Sequence, residues 1–195
     1  MSTAHGINAA KRKLIERMLS AGALLFGRFV LTSGRESDYY INVKKLVTDP
    51  GSLALIAEMI EALTAGDGIR FDRVAGPELG AVPIATAVSL RTGKPLVIIR
   101  KRPKSHGTGS LVEGEVRKGE SVLIVEDVTT TGGSVLRAAE VIEELGGKVS
   151  AISVVVDRGE GAAERIRERG YTFLPLIHVS ELLEQKVNTG GEPTP

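Results

Sequence analysis

Apolar residues from Phe71 onward fall into short continuous runs that alternate with stretches of helical spacing. Continuous runs of about four to eight apolar residues are typical of parallel strands buried on both faces, and the stretches between them are typical of crossover helices. The pattern therefore predicts an α/β sheet. The expected strands lie near 73–75, 96–99, 122–125, 149–156 and 172–177, and the expected helices cover 81–91, 133–145 and 161–169.

The N-terminal part of the chain has a different pattern. Residues 8–21 carry apolar side chains on one face of a helix that ends at Gly22. The next apolar residues predict two short strands around the polar turn 33–37. A further helix is expected to begin at Asp49-Pro50, because aspartate caps helix N-termini and proline is favoured at the first helical position.

Composition and charge narrow the class of protein. With 195 residues, 42% of them hydrophobic, the chain is long enough for one globular domain and too apolar to be disordered. Its 25 Lys and Arg residues balance 24 Asp and Glu residues, and a net charge of +1 argues against binding nucleic acid through bulk electrostatics. There is no Cys for a disulfide scaffold, and no apolar run approaches the ~20 residues of a membrane-spanning helix. We therefore expect a cytoplasmic protein without a nucleic-acid or membrane partner.

The segment 122–134 carries the strongest chemical signal. A buried strand is followed by Glu126 and Asp127, and then by a Thr/Gly/Ser loop that leads into a helix. Such a loop at a helix N-terminus presents backbone N–H groups to a phosphate, while the two acids suit sugar hydroxyls or a cation such as Mg²⁺. The segment lacks the signatures of nucleoside-triphosphate and dinucleotide sites. It indicates a phosphorylated sugar, and the alternative is a strand-turn-helix with incidental acids.

Two further segments suggest anion binding. Four of the first five residues of the segment 100–110 are basic, and glycines follow them, so this loop either closes over a diphosphate or is a solvated basic loop. Its His106 suits proton donation or a hydrogen bond to phosphate. Arg158 follows the strand 149–156, which we place about two strands from the acid pair. Its guanidinium either anchors a carboxylate or pairs with Asp157.

The segment 122–134 resembles the 5-phosphoribosyl 1-diphosphate (PRPP) motif of the type I phosphoribosyltransferases, and the chain is similar nearly end to end to those that act on orotate. The resemblance also rests on residues 29–42, Gly76-Pro77, residues 100–107 and Asp157-Arg158. It implies an open, mostly parallel sheet flanked by helices, with residues 1–48 forming a small hood over the site. The whole chain, 1–195, is then a single domain with a flexible tail at 188–195.

The resemblance also implies an activity. Such an enzyme, a pentosyltransferase of pyrimidine biosynthesis, transfers ribose 5-phosphate from PRPP to N1 of orotate, releases diphosphate and requires Mg²⁺. It implies a homodimer in which the 100–110 loop covers PRPP in the neighbouring subunit. Two alternatives stay open: a purine or uracil phosphoribosyltransferase, and a regulatory relative that binds PRPP or RNA without catalysis.

Residue roles follow from the same resemblance. The catalytic residues are Lys101, Lys104, His106 and Asp127, and the orotate-binding residues are Thr130 and Arg158. The PRPP-binding residues are Arg100, Lys101, Lys104, His106, Glu126, Asp127, Val128, Thr129, Thr130, Thr131, Gly132, Gly133 and Ser134. No side chain is assigned as a metal ligand. The chain departs from the family at Thr32 and Gly80, where lysines often occur.

Overall fold

The computed structural model describes residues 3–30, 36–102 and 110–188. The helices are α1 (Thr3–Ser20), α2 (Lys44–Val47), α3 (Pro50–Gly66), α4 (Ala81–Thr92), α5 (Gly133–Glu144), α6 (Ala162–Glu168) and α7 (Val179–Asn188). The strands are β1 (Leu24–Val30), β2 (Glu36–Ile41), β3 (Arg73–Pro77), β4 (Leu96–Ile99), β5 (Val112–Glu113), β6 (Ser121–Thr129), β7 (Lys148–Asp157) and β8 (Phe173–His178).

The main sheet has six strands in the order β5-β4-β3-β6-β7-β8. All neighbouring strands are parallel except β5, which runs antiparallel to β4 at one edge. Strands β1 and β2 form a separate antiparallel hairpin. The predicted α/β class, with a mostly parallel sheet and a small N-terminal element, is confirmed.

The continuous apolar runs arise because both faces of the sheet are covered. Along β6, Leu123 and Val125 belong to the core that also contains residues of α1, α3 and α4, whereas Val122 and Ile124 belong to the core under α5 and α6. Because successive side chains of a strand point to opposite faces, a strand between two helical layers needs apolar residues at every position.

The strand order places a crevice at the centre of the sheet. Helix α4 follows β3 and packs into one core, and helix α5 follows the neighbouring strand β6 and packs into the other core. The chain therefore leaves these two adjacent strands toward opposite faces. In open α/β sheets, ligands bind outside the carboxyl ends of strands at such a switch point.

The N-terminal predictions hold in part. Helix α3 begins at Pro50 as predicted, and the Asp49 carboxylate accepts a hydrogen bond of 2.7 Å from the Ser52 amide. Helix α1 begins earlier than the expected residue 8. The predicted turn over 33–37 extends too far along the chain, because Glu36 already pairs with Val30 in the hairpin.

Several expectations fall on residues that the structure does not describe. These are the start of the 33–37 turn, Thr32, Lys104, His106 and the tail beyond Asn188. None of the helices in the described ranges is both long and apolar enough to span a membrane.

Candidate active site

The acid pair lies within β6 rather than after it, which corrects the expected end of the strand near residue 125. The ladder with β7 continues past Glu126 to Thr129, which pairs with Asp157. Polar side chains do not stop a strand whose backbone groups remain paired with a neighbour. Because the two acids are consecutive in a strand, their carboxylates point to opposite faces of the sheet.

Glu126 faces α5 and is only 6% exposed. Its Oε2 accepts a hydrogen bond of 2.8 Å from the Ser134 hydroxyl, and its Oε1 accepts one of 3.2 Å from the Asp127 amide. Burial, and then the charge of Asp127, raise the pKa of Glu126 well above the ordinary glutamate value, although the hydrogen bond from Ser134 acts in the opposite direction. A cationic or hydroxyl-bearing ligand would stabilise its ionised form.

Asp127 faces the loop that follows β3. Its Oδ1 accepts a hydrogen bond of 2.7 Å from the Val128 amide. The backbone of Gly80 passes so close that a Cβ there would overlap the Asp127 carboxylate. Gly80, one of the two departures from the family pattern, is therefore the residue that lets the β3–α4 loop approach the acid pair.

The loop after β6 ends at the N-terminus of α5, a helix of 12 residues with no acid in its first turn. Thr129 is buried, and Thr130 and Thr131 are half-buried. Gly132 caps the helix with φ of +81°. The free amides and the dipole of this helix end provide the positive potential that a phosphate requires.

Arg158 lies closer to the acid pair than the sequence suggested. Strand β7 is the immediate neighbour of β6, since the crossover through α5 returns to the adjacent position, and the expected separation of about two strands is wrong. The Arg158 amide donates a hydrogen bond of 3.0 Å to the Thr129 carbonyl. Arg158 is 6% exposed.

A cavity of 390 Å³ joins these groups under the hairpin. Its lining includes Tyr40, Asn42, Lys44, Asp127, Thr130 and Arg158. Both residues expected to bind orotate therefore share one cavity with an acid expected to bind PRPP. The hairpin forms the opposite wall, which agrees in position with the expected hood.

The described part of the basic segment lies elsewhere. Arg100 and Lys101 line a second cavity of 380 Å³ together with Ser134 and Arg137. Arg100 Nη1 pairs with Glu113 at 3.1 Å, and the Lys101 amide donates a hydrogen bond of 2.6 Å to Glu78. The two cavities lie on either side of the acid pair: Asp127 lines the first, and Ser134, the hydrogen-bond partner of Glu126, lines the second.

Comparisons with known proteins identify the family of the chain. The family model for the phosphoribosyl transferase domain matches residues 42–172. The chain is 68% identical to an orotate phosphoribosyltransferase of Thermococcus gammatolerans over 182 residues, which are 93% of this chain and 96% of the relative. The chain belongs to the orotate phosphoribosyltransferases. The family resemblance seen in the sequence is thus confirmed.

Solved structures of phosphoribosyltransferases share the fold. The crystal structure of the Mycobacterium tuberculosis orotate phosphoribosyltransferase superposes with a TM-score of 0.77 at 36% identity, covering 89% of this chain and 98% of that chain. A structure of the Mycobacterium tuberculosis enzyme in complex with PRPP gives a TM-score of 0.73 at 33% identity, with the same coverage of both chains.

Two cationic residues near the site of this phosphoribosyltransferase escaped the sequence analysis. Lys44 lines the first cavity from the start of α2, and Arg137 lines the second from the first turns of α5. The spacing of Arg137 from Ser134 was a usable signal, since residues three apart lie on one helix face. Lys44 gave no signal, because its place depends on how the hairpin folds over the sheet.

The donor groups fit a magnesium ion that arrives with the substrate. Among the described residues, no group of three or more His, Cys, Asp or Glu side chains could hold a metal ion by itself. Mg²⁺ in phosphate-transferring sites is usually held by one or two carboxylates together with substrate oxygens. Asp127 supplies a carboxylate of this kind at the cavity wall.

Proposed function

We propose that this protein transfers ribose 5-phosphate from PRPP to N1 of orotate, forming orotidine 5′-monophosphate and diphosphate. The proposal rests on one observation: a single cavity combines a buried arginine with an acid that immediately precedes a phosphate-type loop. A carboxylated base and a phosphorylated sugar have complementary groups in that cavity. The similarity to orotate phosphoribosyltransferases over nearly the whole chain supports the same assignment.

PRPP binding follows from the arrangement around β6. The 5′-phosphate would accept hydrogen bonds from the amides of residues 129–134 at the start of α5, and the ribose hydroxyls would lie against Glu126 and Asp127. As the bond from C1 to the diphosphate oxygen breaks, positive charge develops on the ribose ring. The acid pair stabilises this charge, and it is fixed in place by the strand and by Ser134 before reaction begins.

Orotate would bind with its carboxylate on Arg158 and with Thr130 beside it. This orientation would bring N1 toward the ribose. The N1–C1 bond then forms as the bond from C1 to the diphosphate oxygen breaks; the diphosphate leaves with the electrons of that bond and takes up the proton released from N1. Asp127 would hold Mg²⁺ together with oxygens of PRPP, and the ion would supply positive charge to the diphosphate. Exclusion of water by the hairpin wall limits hydrolysis of the same ribosyl cation.

We further propose a homodimer whose basic segment serves the partner's site. Arg100 and Lys101 line the second cavity rather than the one that contains Arg158. In line with the family resemblance, residues 100–110, with Lys104 and His106, would then reach the site of a neighbouring molecule. The diphosphate would then meet its cations only when that segment closes.

The first experiment is the loss of orotate's ultraviolet absorbance when purified protein, PRPP and Mg²⁺ are mixed. Hypoxanthine, adenine and uracil are followed in parallel, and EDTA provides the metal-free control. Turnover of orotate alone is the expected result. Turnover of another base instead would contradict the assignment of Arg158, and binding of PRPP without any turnover would favour the regulatory alternative.

A further inference from the structure

The guanidinium of Arg158 is held by contacts with three residues, Glu160, Ser37 and Tyr39. Its Nε donates a hydrogen bond of 2.8 Å to Glu160 Oε1, and its Nη2 donates one of 3.0 Å to Ser37 Oγ. The ring of Tyr39 lies 4.6 Å from the guanidinium carbon, at the distance of a cation–π contact. The Arg158 side chain is only 4% exposed.

In the hydrogen bond between Arg158 and Ser37, the guanidinium donates and the hydroxyl oxygen accepts. The Ser37 hydroxyl donates its proton to the Tyr39 carbonyl at 2.8 Å. A hydroxyl has a single proton and two lone pairs, so Ser37 Oγ can accept from Arg158 as well as from the Tyr39 amide, which lies 3.4 Å away. The hairpin strand β2 therefore presents an acceptor and an aromatic face to the same guanidinium.

The loop that carries Glu160 has a shape that directs its carboxylate back to Arg158. Gly159 and Gly161 flank it with φ of +66° and +95°, a region that side-chain-bearing residues rarely adopt. A Cβ at Gly159 would lie 2.8 Å from His178 Nε2. The Glu160 side chain is 15% exposed, so the ion pair is shielded from solvent.

These contacts leave one side of the guanidinium available. Nε and one N–H of Nη2 are occupied, whereas the described residues provide no hydrogen-bond acceptor for Nη1 or for the second N–H of Nη2. Those two nitrogens form the end-on fork that matches the two oxygens of a carboxylate. Arg158 lines the 390 Å³ cavity, where such a carboxylate would bind.

We propose that Glu160, Ser37 and Tyr39 are positioning residues that hold Arg158 with its end-on fork toward the base, and thereby set the preference for a carboxylated base. This inference rests on the proposed function. A long arginine side chain that is already ordered loses little further freedom when the substrate binds. The hairpin thus contributes to base selection through Arg158 as well as by covering the cavity.

The charge of Glu160 allows positioning to be separated from simple electrostatics. If only charge mattered, Glu160→Ala would strengthen orotate binding, because it removes a carboxylate that competes for the same guanidinium. If Glu160 positions Arg158, Glu160→Ala weakens orotate binding instead. Glu160→Gln distinguishes the two further, since its amide oxygen still accepts the Nε hydrogen bond but carries no charge.

The test compares steady-state kinetics of Glu160→Ala, Glu160→Gln and Ser37→Ala with wild type. Glu164→Ala, an exposed acid in the first turn of α6, is the matched control. We expect Glu160→Ala to raise the KM for orotate about tenfold while the KM for PRPP changes less than about twofold. In Glu160→Gln the KM for orotate should stay close to the wild-type value. Ser37→Ala should raise this KM less than Glu160→Ala does, and the control should match wild type.

Three results would overturn the inference: tighter orotate binding in Glu160→Ala, equal losses in Glu160→Ala and Glu160→Gln, or an equal rise in the KM for PRPP. If Glu160→Ala does not fold, the KM values for orotate and PRPP in Glu160→Gln and Ser37→Ala test the inference. A wild-type protein that does not turn over orotate would refute the proposed function instead. Calorimetric titration with orotate and with uracil would then still test the positioning role, because unchanged affinities in the variants would refute it.

Discussion

Glu126 shows how a single buried carboxyl shapes the ligand-free site. It lies beside a second acid and away from solvent, and both conditions disfavour its ionised form. A group whose folded pKa is raised binds its proton more tightly in the folded chain than in the unfolded chain. Stability therefore falls as the pH rises from the ordinary glutamate value toward the raised value.

We expect Glu126→Gln to gain stability relative to wild type as the pH rises from about 5 toward 8. The gain should be on the order of 1 kcal/mol per pH unit within this window, because the variant has no proton to release. Thermal unfolding of both proteins without ligand at several pH values checks it. A stability difference that is independent of pH would contradict the raised pKa of Glu126.

Gly80 provides a second prediction at the residue scale. A methyl group there would overlap the Asp127 carboxylate, so Gly80→Ala should displace this acid and lower kcat about a hundredfold. Gly66→Ala is the matched control, since a Cβ added at this last residue of α3 would have no other atom within 4 Å. Equal activities of the two variants would show that the close approach has no functional role.

The hairpin and the short helix after it bring charge to the cavity at the scale of elements. Lys44, at the start of α2, lines the cavity, and within the described part of the chain its ammonium forms no ion pair. Its neighbour Lys45 instead donates a hydrogen bond of 3.1 Å to the Gly22 carbonyl. The two adjacent lysines therefore have different environments: Lys44 lines the cavity, and Lys45 is hydrogen-bonded to the backbone of the preceding segment.

Lys44→Met should lower kcat/KM about tenfold, because an anionic substrate would lose a cation at the cavity wall. Lys45→Met removes the same charge outside the cavity and should leave kcat/KM within about twofold of wild type. Steady-state kinetics at low and high salt measure both variants. Equal effects would mean that only the net charge of the protein matters.

The strands and helices differ in how far sequence could predict them. The run Val122 to Val125 indicated a doubly covered strand because burial on both faces leaves no polar position. The end of β6 was missed because pairing with β7, a distant part of the chain, keeps Glu126 in the strand. The adjacency of Arg158 to the acid pair, and the contact from Ser37, likewise depend on how separate elements pack.

At the scale of the whole molecule, the residues assigned to the site line two separate cavities. Asp127, Thr130 and Arg158 share one cavity, whereas Arg100 and Lys101 line another. If the basic segment closes over the site of a second molecule, two different inactive variants complement each other. If the basic segment closes over the site of its own subunit, the two variants cannot complement each other.

We therefore expect activity to return when Asp127→Asn and Lys104→Ala subunits are mixed under conditions of exchange. With equal amounts, about half of the dimers are mixed, and each mixed dimer has one site with both a native acid pair and a native basic segment, giving about a quarter of wild-type activity. Lys104→Ala mixed with His106→Ala is the control, since both changes affect the segment and no site becomes whole. Failure of the first pair to recover activity, with dimer exchange shown independently, would assign the segment to its own subunit.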